Sequence, residues 1–149
     1  MVEKYLPERM IDQGAQLLRR LDETEHSPLA AFWLYYPDRE KWRLAIVFKD
    51  RAEIGIRKSY ERILNVLIEH EDEFEDLDLP QISVEEPRSN VVRGVRKSAS
   101  LALKSPRYTD IYIRDLGFVD FYIYRLPKQR KPRPRAKAAG KAARSKAAR

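Results

Sequence analysis

From Pro7 to about Glu23, apolar positions recur every three or four residues, and Met10, Gly14, Leu17, Leu18 and Leu21 share one side. That period predicts an amphipathic helix entered through Pro7, with Asp12, Arg19, Arg20 and Asp22 toward water. The pattern then changes. Leu29 to Tyr36 is a continuous apolar run too short for a helix, Pro37 to Lys41 is a polar turn, and Trp42, Leu44, Ile46 and Phe48 alternate in the run that follows. Two such runs across a short polar stretch predict a β-hairpin. Their continuous character predicts strands covered on both faces.

A second helix is predicted from Ile56 to Phe74, with Gly55 just before it and Ile56, Tyr60, Ile63, Leu64, Leu67 and Ile68 as its apolar set. Its end is crowded with carboxylates from Glu69 to Asp78, which oppose the helix macrodipole and favour fraying. After Pro80, Gln81 to Glu85 predicts a brief strand. Ser89 and Asn90 then offer a cap for a third helix, about Asn90 to Leu103. Val91 or Val92, Val95, Ala99 and Ala102 would face inward, opposite an arc of Arg93, Arg96, Lys97, Ser100 and Lys104. Pro106 ends that helix. Asp110 to Arg114 and Phe118 to Arg125 flank Gly117 as a second hairpin. The order α-β-β-α-β-α-β-β predicts an α+β fold, a single domain whose mixed or antiparallel sheet is covered by helices.

Charge alters this picture in one place. The chain has 149 residues and a net charge of +7, but residues 127–149 hold ten of its Lys and Arg and no acid. Residues 1–126 are left mildly acidic, so the basic character belongs to the terminal segment. There Lys128, Arg130, Lys131, Arg133, Arg135, Lys137, Lys141, Arg144, Lys146 and Arg149 are interleaved with Pro, Ala and Gly and with no apolar anchor. Such a composition cannot offset its own ordering entropy, which divides the chain into a globular domain, 1–126, and a disordered cationic tail, 127–149. Mobile Lys/Arg segments contact phosphate backbones by counterion release, without reading sequence. The tail resembles the Lys/Ala-rich tails of linker histones and of some bacterial nucleoid proteins. The expected partner is therefore DNA or RNA; the other readings are a solubilising tail or one drawn to anionic lipid.

Two places in the domain add candidates. At the start of the third helix, Arg88, Ser89, Asn90 and Arg93 could hold a phosphate, since helix starts favour anions. The alternative is that Ser89 and Asn90 simply cap the helix and the basic arc is solvated, which also lets the arc pair with the acidic end of the second helix. In the last hairpin Val119, Phe121 and Ile123 take one face. Tyr122 and Tyr124 take the other, where Tyr112 and Arg114 can join them. These side chains either stack on bases or lie beneath a helix as core.

Catalytic signals do not assemble. The chain has no cysteine, which excludes disulfides, thiol catalysis and Cys-based zinc sites. His26 and His70 lack a second ligand at metal spacing. Arg20 and His26 have an Arg-to-His spacing like that of small helical ribonucleases, but Leu21 interrupts it. Asp38, Glu40 and Lys41 fit a turn, and Glu85 and Glu86 form a metal pair with Asp50 only if the fold brings them together. There is no glycine-rich phosphate loop and no nucleophile elbow, so no catalytic residue, metal or cofactor is assigned. The start of the chain lacks a signal-peptide pattern and no apolar run reaches membrane-spanning length, so a cytoplasmic protein with no membrane partner is expected.

Three stretches, FWLYYPDREKWRL (32–44), ISVEEPRSNVVRGVRKS (82–98) and FVDFYIYRL (118–126), resemble a family of small uncharacterised bacterial proteins. The resemblance implies bacterial origin and an intact α+β core, and it brings no established activity. The resulting expectation is a non-enzymatic cytosolic module that touches nucleic acid through its tail. The alternatives are a protein-interaction or accessory subunit whose tail is incidental, and a small metal-dependent nuclease-like enzyme.

Overall fold

The computed structural model describes residues 5–36, 39–99 and 106–127. They form α1 (Glu8–Asp22), β1 (Ala30–Tyr36), β2 (Lys41–Val47), α2 (Arg51–Glu69), β3 (Ile82–Glu85), α3 (Asn90–Ala99), β4 (Arg107–Ile113) and β5 (Gly117–Arg125). Short 3-10 turns at Glu71–Glu73 and Leu79–Gln81 fill the link from α2 to β3. This is the α+β order that the hydrophobic pattern predicts. The predicted end of the third helix beyond Ala99, with Ser100, Ala102, Leu103 and Lys104, lies outside the described residues.

The strands make one five-stranded sheet in the order β3-β2-β1-β5-β4. β1 is central and antiparallel to both β2 and β5, and β4 is antiparallel to β5. β3 is parallel to β2, so the sheet is mixed. The connections explain the difference. Short turns join β1 to β2 and β4 to β5, whereas β2 reaches β3 through α2, a crossover long enough to return the chain to the same end. Because β1 has neighbours on both edges and helices over both faces, Ala30 to Tyr35 are all buried. The unbroken apolar run in the sequence has this cause.

Alternation along the strands splits the interior in two. Ala31, Trp33, Leu44, Ile46, Phe48, Ile82 and Val84 face α1 and α2, meeting Leu17, Leu21, Ile63 and Leu67. Ala30, Phe32, Leu34, Ala45, Val47, Val119 and Phe121 face the other way, toward Val92 and Val95 of α3. Each fully buried Leu, Ile or Phe contributes roughly 1.5–3 kcal/mol. Both seams pass over a glycine. A Cβ at Gly14 would fall inside van der Waals contact of Tyr124 Oη, and one at Gly94 inside that of Ile113 Cγ2. Small residues there let each helix approach the sheet.

The α1 seam also settles the last tyrosine. Trp33 Nε1 donates to Tyr124 Oη at 2.8 Å, and the Tyr124 hydroxyl donates to the Ile11 carbonyl at 2.5 Å. Burial pushes the Tyr124 phenol well above its ordinary range. Of the two readings of this residue, the one beneath a helix is found.

The second helix begins where expected, after a separate turn, but departs from expectation at its far end and on one side. Gly55 has φ 87° and ψ 170°, so Arg51 to Ile54 form a separate turn and the continuous helix begins at Ile56. It ends at Glu69 instead of running to Phe74. The buried residues are Ser59, Ile63, Val66 and Leu67, whereas Ile56, Leu64 and Ile68 are 53%, 37% and 63% exposed. The apolar arc of α2 is wider than the seam it makes with the sheet.

The carboxylates beyond α2 are drawn to α1. Glu73 accepts from both Arg20 Nε, at 2.9 Å, and Arg20 Nη2, and from Gln16 Nε2 at 2.7 Å. Asp76 accepts from Gln13 Nε2 at 2.9 Å and lies 3.5 Å from Arg9 Nε. The pairing with the third helix that one reading allowed is not made by Glu73 and Asp76. α3 packs on the opposite face of the sheet, out of reach of these acids.

Candidate functional site

The basic arc of α3 begins at Ser89, whose side chain caps the helix. Val92 N–H donates to Ser89 Oγ at 3.2 Å, and Arg93 N–H donates to the Ser89 carbonyl at 3.0 Å. One orphan amide of the helix start is thus satisfied from within the chain. Asn90 Nδ2 donates to Asp115 Oδ2 at 2.8 Å, which ties the start of α3 to the turn between β4 and β5. Asp115 sits in that turn with φ 72°, and Gly117 with φ 83° completes it.

From this anchored start, Asn90, Arg93, Gly94, Lys97 and Ser98 follow at the three- and four-residue spacing that gives a helix one face. The face lies against the end of β4, with Gly94 in contact with Ile113. Together with Tyr112, Ile113 and Arg114 these residues line an open cleft of about 480 Å³. Among the described residues three cations and no carboxylate line it. Among the described residues Arg93 and Arg114 form no ion pair, in contrast to Arg20, Arg62 and Arg125, each of which holds a carboxylate.

Of the residues singled out at this helix start, Asn90 and Arg93 reach the cleft. Ser89 serves as the cap, and Arg88 is exposed but does not line the cavity. The fold adds Lys97, Ser98, Tyr112, Ile113 and Arg114. The helical spacing from Arg93 to Lys97 is visible in the sequence, but the approach of β4 depends on a contact between residues nearly twenty positions apart. The ten cationic residues from Lys128 to Arg149 lie outside the described residues.

The hairpin tyrosines divide. Tyr122 and Tyr124 pack against the α1 side of the core, with ring centroids 5.4 Å apart. Tyr112 and Phe118 are paired across the strands and meet edge to face at 5.5 Å, yet they are 64% and 63% exposed. Nearer the start of β4, the Arg107 guanidinium lies 5.5 Å from the Tyr122 ring centre and 5.9 Å from that of Tyr5. An exposed aromatic pair thus adjoins the cationic cleft, and Tyr112 belongs to both.

The catalytic candidates are engaged elsewhere. Asp50 accepts from both terminal nitrogens of Arg62 at 2.8 Å, which holds its carboxyl below the usual range. The Arg20 guanidinium and Gln16 hold Glu73 at about 2, and His70 Nδ1 lies 3.7 Å from the same carboxylate. Burial raises Glu85 on the α3 face of the sheet. Among the described residues no group of three or more His, Asp or Glu side chains could hold a metal, and Asp38 is outside them. No described helix is long and apolar enough to cross a membrane.

No protein-family model, curated protein or solved structure matches this chain.

Proposed function

We propose that this protein is a non-enzymatic cytosolic module that contacts nucleic acid without reading its sequence. In this reading the cationic segment 127–149 supplies most of the phosphate contact, and the α3–β4 cleft supplies a fixed phosphate site in the domain. The observation that carries it is the cleft itself, where Arg93, Lys97 and Arg114 stand around about 480 Å³ with no carboxylate in the lining among the described residues. Arg93 and Arg114 form no ion pair among the described residues, and a polyanion would supply the counter-charge they lack there. The adjoining Tyr112 and Phe118 rings favour single strands, whose bases are free to stack, over duplexes, whose bases are covered.

The test is a titration of single-stranded and duplex DNA and RNA at several salt concentrations. It compares the full chain, Arg93→Ala/Arg114→Ala and a 1–126 truncation. Each lost phosphate contact lowers the salt slope by roughly 0.7 on single strands and 0.9 on duplexes. The double variant is expected to lose up to two such steps and the truncation several more. A truncation that binds as tightly as the full chain, with the same slope, removes the tail from the reading. A double variant indistinguishable from wild type removes the cleft.

A further inference from the structure

Gly94 and Ile113 both line the α3–β4 cleft, and they stand so close that a Cβ on Gly94 would overlap Ile113 Cγ2. Helix and strand therefore meet inside the cleft and leave a ligand no passage between them at that point. At about 480 Å³ the space lies within the roughly 300–1,000 Å³ of small-ligand sites. The end of a nucleic-acid strand can enter such a space. An internal phosphodiester, with a nucleotide on either side, fits it less well and passes over the mouth.

The charge of the lining points the same way. Arg93, Lys97 and Arg114 bring three formal positive charges, and among the described residues no carboxylate joins them. Asp115, next to Arg114, is bonded to Asn90 Nδ2 at 2.8 Å and does not line the cleft. An internal phosphodiester carries one negative charge. A phosphomonoester carries roughly 1.5–2 and offers three acceptor oxygens. Arginine forks hold such oxygens two at a time, and Arg93 and Arg114 form no ion pair among the described residues.

The exposed rings indicate what carries the phosphate. Tyr112 lines the cleft, is 64% exposed and meets the equally open Phe118 edge to face. A base one sugar away from a bound phosphate has these rings beside it, and every base has a face that can stack. A phosphoserine peptide presents no such flat surface next to its phosphate. We infer that the cleft binds the terminal phosphomonoester of a single strand, with Arg93 and Arg114 on the phosphate and Tyr112 on the last base. This deepens the function proposed above and rests on its reading of the cleft. The domain then marks strand ends, while segment 127–149 contacts any stretch of backbone.

Calorimetric titration of the full chain compares tetranucleotides ending in a 5′-phosphate, a 3′-phosphate or hydroxyls only. A salt concentration of about 200 mM weakens contacts that depend on backbone charge alone. A hydroxyl-ended hexanucleotide, which carries about the charge of a phosphorylated tetranucleotide, controls for the added charge. One of the phosphorylated ends is expected to bind at least about tenfold more tightly than either hydroxyl-ended strand. Arg93→Ala/Arg114→Ala should abolish that preference. Tyr112→Ala should weaken the phosphorylated strand at least about fivefold and leave ribose 5-phosphate, which has no base, unchanged. All three side chains are exposed, and thermal melts check that the variants fold. Phosphorylated strands that bind no better than the hexanucleotide overturn the inference and leave contact with nucleic acid intact. A full chain that binds no strand even at low salt removes the underlying reading as well. A preference that survives the double variant places the strand end elsewhere and overturns the inference. So does a phosphoserine peptide bound as tightly as the phosphorylated strand, which assigns the cleft to phosphoproteins.

Discussion

The carboxylates that follow α2 and the cations of α3 look alike in the sequence, since each is a run of one sign beside an amphipathic helix. The fold treats them oppositely. The acidic run is brought to α1, where Arg20, Gln16, Gln13 and Arg9 take up Glu73 and Asp76. The basic run is placed over β4, where it meets one further cation, Arg114, around a cleft. Two acids of one run are held by α1, whereas Arg93 of the other forms no ion pair among the described residues. A run of one sign in the sequence therefore does not by itself reveal where its own chain supplies the counter-charge.

The largest expected effects lie at the two glycine seams. An alanine in place of glycine inside a helix ordinarily gains up to about 1 kcal/mol. At Gly14 the added methyl meets Tyr124 Oη and Cζ and the Trp33 indole, rings locked together by a hydrogen bond. Gly14→Ala is expected to destabilise by about 1–3 kcal/mol despite the gain in helix propensity. At Gly94 the three atoms nearest the methyl all belong to the Ile113 side chain, which can turn aside more readily than two bonded rings, so Gly94→Ala should cost less. Urea unfolding of both variants checks the ranking. If Gly94→Ala is the more damaging, the α3 face is not the looser of the two.

The next effect is a dependence on pH. The Glu73 carboxyl is held near 2 against an ordinary 4.5, chiefly by the Arg20 hydrogen bonds and then by Gln16. Its folded value is depressed, so its contribution is complete above about 4.5 and is lost as pH falls toward 2. Asp22, paired with Arg125, and Asp50, paired with Arg62, act with the same sign. Glu85, raised by burial, acts with the opposite sign and offsets part of the loss. The urea midpoint should therefore fall on acidification through this window. Glu73→Gln should flatten the fall, and an unchanged acid limb in that variant would mean that the Arg20 contact contributes nothing to stability.

How far the sequence reaches follows from the range of the interactions involved. The element order and the double burial of β1 were legible, because both are recorded in local periodicity between Leu29 and Phe48. The inward half of α3 was legible in the same way, through Val92 and Val95. Periodicity did not show that Ile56, Leu64 and Ile68 point outward. Apolar spacing identifies an apolar arc, and the width of the seam depends on what packs against it. Nor did it show that Glu73 meets Arg20, 53 residues away, or that Tyr112 joins the cleft while Tyr124 is sealed beneath α1. The two tyrosines stand on the paired strands of one hairpin, Tyr112 on the edge strand and Tyr124 on the inner one. What separates them is that α1 covers β5 at Tyr124 and leaves the β4 end of the hairpin open.

The smallest effect on stability is the most discriminating. Arg93 and Arg114 line the cleft without ion pairs among the described residues, so Arg93→Ala/Arg114→Ala removes two like charges and leaves no partner stranded. Its stability should stay within about 0.5 kcal/mol of wild type, as for surface positions that carry no packing role. Relief of repulsion would make the change, if any, favourable at low salt, and screening should erase it at high salt. Arg20→Ala, in contrast, strands Glu73 and should lower the urea midpoint. If the arginine pair in the cleft proves as damaging to stability as Arg20→Ala, those cations hold the fold together, and the distinction between an absorbed charge run and an open one fails.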